Sequence, residues 1–260
     1  RLLNEPYRLH RLMCIRESYT REGAHAHHRI LFHEDITGKE ITSHLLNAVK
    51  KLKNVRMYEY TTLLDIFCDG SKCCGGIIRW PDGREEQVEA DYVILATGGI
   101  GGTYKHSTNF KHLTGDGVEI ARRHNIELKN LDYVQIHPTT LYSDNKEERS
   151  FLISESVRGE GARLYDKNMN RFVDELLPRD LLTQEIYKQM EKDGTDFVWE
   201  DLRTIPRDEL ISHFPNIIEH CSQAGYDVFH ECIPIVPAQH YFMGGIKVKH
   251  KSKTSMDHLY

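Results

Sequence analysis

The sequence predicts a mixed α+β / α/β fold, in which part of a Rossmann-like nucleotide-binding domain is interrupted by a helix-rich second domain. Three observations carry that reading. Helical and strand-like segments alternate through the first half of the chain, the pattern of doubly wound folds. A continuous apolar run from Tyr92 to Ala96 has the composition of a strand buried on both faces. After about Leu131 the periodicity turns helical, and it reverts to strand-like only at IPIVPAQHY. The expected domains are therefore residues 1–131 with 241–260, and an inserted domain over 132–240.

The elements follow in order. ITSHLLNAVKKLK (41–53) places Ile41, Leu45, Val49 and Leu52 at helical spacing with lysines opposite. VRMYEYTT and LLDIFC read as strands, being rich in β-branched and aromatic residues. CGGIIRW, PDG and REEQVEADYVILATGG predict a β-hairpin turning at Asp82-Gly83 and feeding the apolar run. A helix is expected over about 115–124, then a strand-like stretch, IELKNLDYVQIHP. Pro178 suits the first turn of a helix in which Leu182, Ile186 and Met190 share a face. Pro206 opens another helix, Pro215 interrupts it, and Gly225 closes NIIEHCSQAG.

Composition narrows the function. Of 260 residues, 28% are charged and 39% hydrophobic, as in ordinary globular proteins. A formal charge of −5 gives nucleic acid or an acidic membrane nothing to attract. No apolar run approaches the roughly 20 residues of a membrane helix. RLLNEPYRLHRLMC at the start does not read as a signal peptide. The scattered cysteines fit reduced thiols and a cytoplasmic location. Cys68, Cys73 and Cys74 match no zinc spacing, so no metal site is expected.

Single residues are weak signals. Arg179 in LLPRD falls in the first turn of a predicted helix, where the macrodipole disfavours a cation by about 0.3–1 kcal/mol. Taken alone it reads as a surface residue sooner than as one aimed at an anion. His137 precedes Pro138 at the end of a strand pattern, where α/β sites gather. His240 precedes the Gly244-Gly245 pair, which permits close approach of another backbone or a ring. VRGEGA (157–162) suits a loop near a ligand, and GGIGG (98–102) lacks the GxGxxG spacing of a dinucleotide fingerprint.

Joint order is far more specific. TREGAHAHHRIL, DITG, VILATGG, TGDG, QIHPT, ISESVRGEGARL, LLPRD and PAQHYFMGG follow one another as in the succinate dehydrogenase/fumarate reductase flavoprotein superfamily. Within it, the REGAH segment most resembles the aspartate oxidases. The resemblance implies noncovalent FAD, oxidation of L-aspartate to iminoaspartate as the first step towards NAD, reoxidation by oxygen or fumarate, and delivery to quinolinate synthase.

It further implies that Arg179 exchanges the substrate proton while His137 and His240 hold carboxylates, with Gln135 beside the first. Ser154 and Glu155 become a polar pair on the substrate side, and Glu22 recognises the amino group. Ala96, Thr97, Gly98 and Asp116 fall near the flavin. His28 and Phe32 depart from the family's usual residues. By the same resemblance the chain is expected to be an internal fragment without the N-terminal GxGxxG and the C-terminal part. The 260 residues alone are then expected to be colourless and inactive. The alternatives are a soluble fumarate reductase or succinate dehydrogenase flavoprotein subunit, and a non-catalytic remnant that binds a dicarboxylate or a partner.

Overall fold

The computed structural model describes residues 19, 20, 27, 30, 31, 33, 36–145 and 148–260. Glu22, His28 and Phe32, named above, lie outside the described residues. The described strands are β1 (Tyr19–Thr20), β2 (Ile30–Leu31), β3 (Thr62–Asp69), β4 (Lys72–Arg79), β5 (Glu85–Glu89), β6 (Leu128–Lys129), β7 (Val134–Leu141), β8 (Arg163–Tyr165), β9 (Val198–Asp201), β10 (Ile233–Phe242) and β11 (Gly245–Ile246). The described α-helices are α1 (Thr37–Val49), α2 (Asp116–Arg123), α3 (Glu155–Gly159), α4 (Arg179–Asp193), α5 (Arg207–His213) and α6 (Pro215–Gln223). They fall into two compact units: Arg1–Leu52, Ile136–Asn145 and Ser150–Ala238 form the first, and Lys53–Gln135, Lys146–Arg149 and Gln239–Tyr260 the second.

In the first unit a four-stranded sheet runs in the order β7-β10-β9-β8, with β9 antiparallel to both of its neighbours. Helix α4 starts after Pro178, whose φ of −51° is already that of a helix, and whose missing N–H is no loss at a helix start. It ends at Gly194, with φ 65°, the left-handed cap that only glycine adopts without strain. Leu182 and Ile186, four apart on its inner face, are fully buried with Val157, Leu164, Val198 and Ile233. Pro215 opens α6 directly after α5, so the interrupted helix predicted from the sequence forms as two. Helix α1 forms as its periodicity predicts, but Ile41 and Leu45 on its apolar stripe are exposed.

The second unit contains the antiparallel sheet β3-β4-β5 and the short pair β6-β11. Trp80 N–H donates to Arg84 O, and Gly83, with φ 85°, donates back to Trp80 O, which makes the predicted Asp82-Gly83 turn. Two expectations fail here. Residues 55–61 form turns and irregular chain, and β3 begins only at Thr62. The run Tyr92–Ala96 is not a strand buried on both faces. It makes one isolated parallel bridge, Val93 to Leu259. Val93 and Leu95 pack on the apolar cluster of Ile66 and Ile120, whereas Ile94 is 76% exposed. An apolar sequence permits burial on both faces, but only packing partners enforce it.

The core of the first unit makes a direct stability prediction. Leu182→Ala should cost about 2–5 kcal/mol in chemical denaturation, against about 0.5 kcal/mol or less for Leu181→Ala at its exposed neighbour. Equal losses at the two positions would contradict this packing.

Candidate functional site

Two helix starts bring an acid and a base together. Ser154 caps α3, its Oγ accepting from the Ser156 N–H at 3.3 Å, which satisfies an otherwise orphaned donor. Glu155 is thereby the first residue of α3, and Arg179 is the first residue of α4. Arg179 Nε and Nη2 donate to Glu155 Oε2 at 2.8 and 2.6 Å. The glutamate is buried, whereas the arginine keeps 28% of its side-chain surface. A helix N-terminus repels the guanidinium, so the buried carboxylate supplies the compensating charge. Arg179 is thus a partly exposed cation fastened from behind.

His137 belongs to the same unit. It is buried on β7, its Nδ1 3.0 Å from Thr139 O and 3.2 Å from Thr139 N. Thr139 in turn donates from Oγ1 to Ile153 O, and Ile153 N–H donates back to Thr139 O. These bonds tie the histidine's strand to the residue before Ser154. Ser154, Glu155, Arg179 and His137 therefore stand on one continuous set of contacts.

Behind Glu155 lies a group of charges that sequence reasoning missed. Arg158, one turn along α3, is 1% exposed. Its Nη2 stands 3.5 Å from Glu155 Oε1, and its Nη1 donates to Glu175 O at 2.8 Å. Burial lowers the Arg158 pKa, as does the charge of Arg179, while Glu200 and Glu155 oppose the shift. Glu175 is fully buried but well bonded, accepting from Leu164 N–H and from both Arg171 Nε and Nη2. The available signal was the i,i+3 spacing of Glu155 and Arg158. VRGEGA is not a loop throughout: its first three residues complete α3, and the turn is made by Glu160 and Gly161, the latter with φ 127°.

The other predicted residues belong to the second unit. Gln135 is half-buried on β7. On β10, His240 Nδ1 lies 2.8 Å from Thr108 Oγ1, and its carbonyl accepts from Asn109 Nδ2. Buried Gln239 beside it accepts from Ser107 Oγ at 2.6 Å. Asp116, at the start of α2, accepts from Thr114 Oγ1 at 2.8 Å. Ala96, Thr97 and Gly98 line a cavity of about 230 Å³ with Gly117, Gly244 and Tyr260. A Cβ on Gly117 would lie 2.0 Å from Thr97 Oγ1, and one on Gly244 only 1.9 Å from Asn130 O. Bare backbone thus forms much of the wall.

A profile of the FAD binding domain family matches residues 11–260. The chain belongs to this family. It is 49% identical over 242 residues to an L-aspartate oxidase of Clostridium perfringens, covering 93% of this chain and 55% of that protein. An L-aspartate oxidase of Clostridium acetobutylicum is 45% identical over 243 residues, with 94% and 56% covered. Among solved structures, a quinol-fumarate reductase with menaquinol molecules is similar with a TM-score of 0.85 at 29% identity, over 94% of this chain and 46% of that one. The chain spans about half the length of these relatives.

Membership of an FAD-binding family can be tested against the second unit's own residues. A wall of Ala96, Gly98, Gly117 and Gly244 lets a flat ring approach the backbone. The cavity's 230 Å³ is below the roughly 300–1,000 Å³ of sites that enclose a whole drug-sized ligand. It fits one portion of FAD. Gly244→Ala, which sets a methyl against a fixed carbonyl, should lower flavin occupancy measured by absorbance of the purified flavin-loaded protein. Unchanged occupancy would contradict a flavin contact at this wall.

Proposed function

We propose that this chain is the substrate-handling portion of an L-aspartate oxidase, which converts L-aspartate to iminoaspartate in the first step towards NAD. The observation that carries the reading is Arg179, partly exposed at a helix N-terminus and anchored by a buried glutamate, in a chain whose curated relatives bear that name. When bound, noncovalently and against the wall of Ala96, Thr97 and Gly98, FAD would supply the hydride acceptor for Cα, with oxygen or fumarate as the final oxidant. The first unit then carries Arg179, Glu155 and His137 for the substrate, and the second carries the flavin wall together with His240 and Gln135.

Each side chain has work suited to its chemistry. Arg179, partly exposed at the N-terminus of α4 and fastened by Glu155, takes the proton from the substrate. Glu155 fixes the guanidinium, whose partly exposed side faces substrate. His137 and His240 bind the two carboxylates, with Gln135 beside His137 and Ser154 on the substrate side. Glu22 receives the amino group and distinguishes aspartate from succinate. Ala96, Thr97, Gly98 and Asp116 hold the flavin side. Quinolinate synthase is the proposed recipient of the unstable imine.

The fumarate reductase likeness favours one competing reading, oxidation of succinate or reduction of fumarate. Parallel assays of the whole enzyme, flavin-loaded, should give turnover with L-aspartate and little with succinate. Arg179→Leu should reduce aspartate turnover by about 10²–10⁴-fold, the usual worth of a positioned acid–base group. Normal turnover in that variant would remove Arg179 from the reaction.

A further inference from the structure

One buried acid has no part in the chemistry above. Glu200 sits on β9, the strand held between β8 and β10, opposite Leu164 on one side and Ile233 on the other. It is 0% exposed, and neither carboxyl oxygen has a hydrogen-bond partner among the described residues. Arg158, equally buried, has two unpartnered donors, Nε and Nη2. Two unpartnered acceptors, the unpartnered Nε and an Nη2 with only a long contact to Glu155 thus occupy one core, and the two groups interact electrostatically. Leaving such groups unjoined is costly in a low-dielectric interior. Arg158 also has a second anionic neighbour, Glu155, at 3.5 Å, longer than a strong charge-assisted bond.

We propose that Glu200 is a positioning residue that acts on Arg179 through Arg158 and Glu155, with Arg158 exchanging between the two glutamates. The inference rests on Arg179 being the proton-exchanging group. Glu200 feels the charges of Arg158 on α3 and Glu175 before α4, and Cys221 on α6 feels the charge of Glu200. Burial pushes the Glu200 carboxyl up to about 8; Arg158 opposes that shift and Glu175 adds to it. Below that pH Glu200 is a neutral acid, and Arg158 is left to Glu155. Above it the buried anion draws Nε and Nη2 of Arg158 to itself. Glu155 then has Arg179 as its remaining cation and holds it more tightly, which withdraws the guanidinium from the substrate.

The sign of the stability effect follows. Between the ordinary carboxylate range and about pH 8, the folded protein keeps a proton on Glu200 that the unfolded chain has lost. Stability contributed by this group therefore falls as pH rises through that window.

The test compares the flavin-loaded protein with Glu200→Gln, which cannot ionise, and Glu200→Asp, which can. Aspartate turnover of the native protein should fall by about tenfold per pH unit above an inflection near 8. Glu200→Gln should lose that limb and Glu200→Asp should keep one. In parallel, ¹⁵N-arginine NMR should show the Arg158 and Arg179 side-chain signals moving through the same inflection in the native protein and not in Glu200→Gln. Arginine signals that ignore this titration overturn the proposal, whatever the activity. Signals that move in a protein that does not oxidise aspartate sink the proposed function and leave the exchange of Arg158 standing. Where turnover is measurable, a native alkaline limb that persists unchanged in Glu200→Gln overturns the link to Arg179.

Discussion

The first unit depends on one ion pair, Arg179 with Glu155, formed where α3 and α4 both begin. Neither residue is well placed without the other. A guanidinium at a helix N-terminus meets the positive end of the dipole, and a buried carboxylate needs a cation. Together they offset both costs, and the Ser154 cap and the Thr139–Ile153 bonds hold the glutamate's helix in place. Arg179 therefore has a fixed root and an exposed face, the arrangement that a proton-exchanging group requires.

The same junction explains the buried charges around it. Arg158 lies too deep for solvent to serve it and leans on Glu155, Glu175 O and the field of Glu200. Glu175 and Glu200 are both fully buried, yet one accepts several hydrogen bonds and the other none among the described residues. The unsatisfied acid identifies where charge can rearrange. In the second unit a different constraint operates. Thr97 and Asn130 come so close to Gly117 and Gly244 that a Cβ would collide at either position, leaving a backbone-walled cavity between them.

Local periodicity made much of this legible. The helices around Leu182 and Ile186, the break at Pro215 and the Asp82-Gly83 turn follow from short-range rules, so they were readable. The run Tyr92–Ala96 was misread because burial on both faces depends on partners distant in the chain. Arg179 by itself suggested a surface residue. Only its order alongside His137, His240 and the REGAH segment pointed to a site, and the geometry then supplied Glu155 as its partner. Glu200 was invisible, because alternation puts it on one face with Val198 without revealing that this face is interior.

In the proposed function, Arg179 and its anchoring glutamate serve oxidation of an amino dicarboxylate. The most direct measurement mixes oxidised, flavin-loaded protein with L-aspartate anaerobically and follows the flavin absorbance. L-Aspartate should bleach it, more slowly when Cα carries deuterium, and succinate should bleach it little. A flavin bleached by succinate and untouched by L-aspartate would contradict the proposed function.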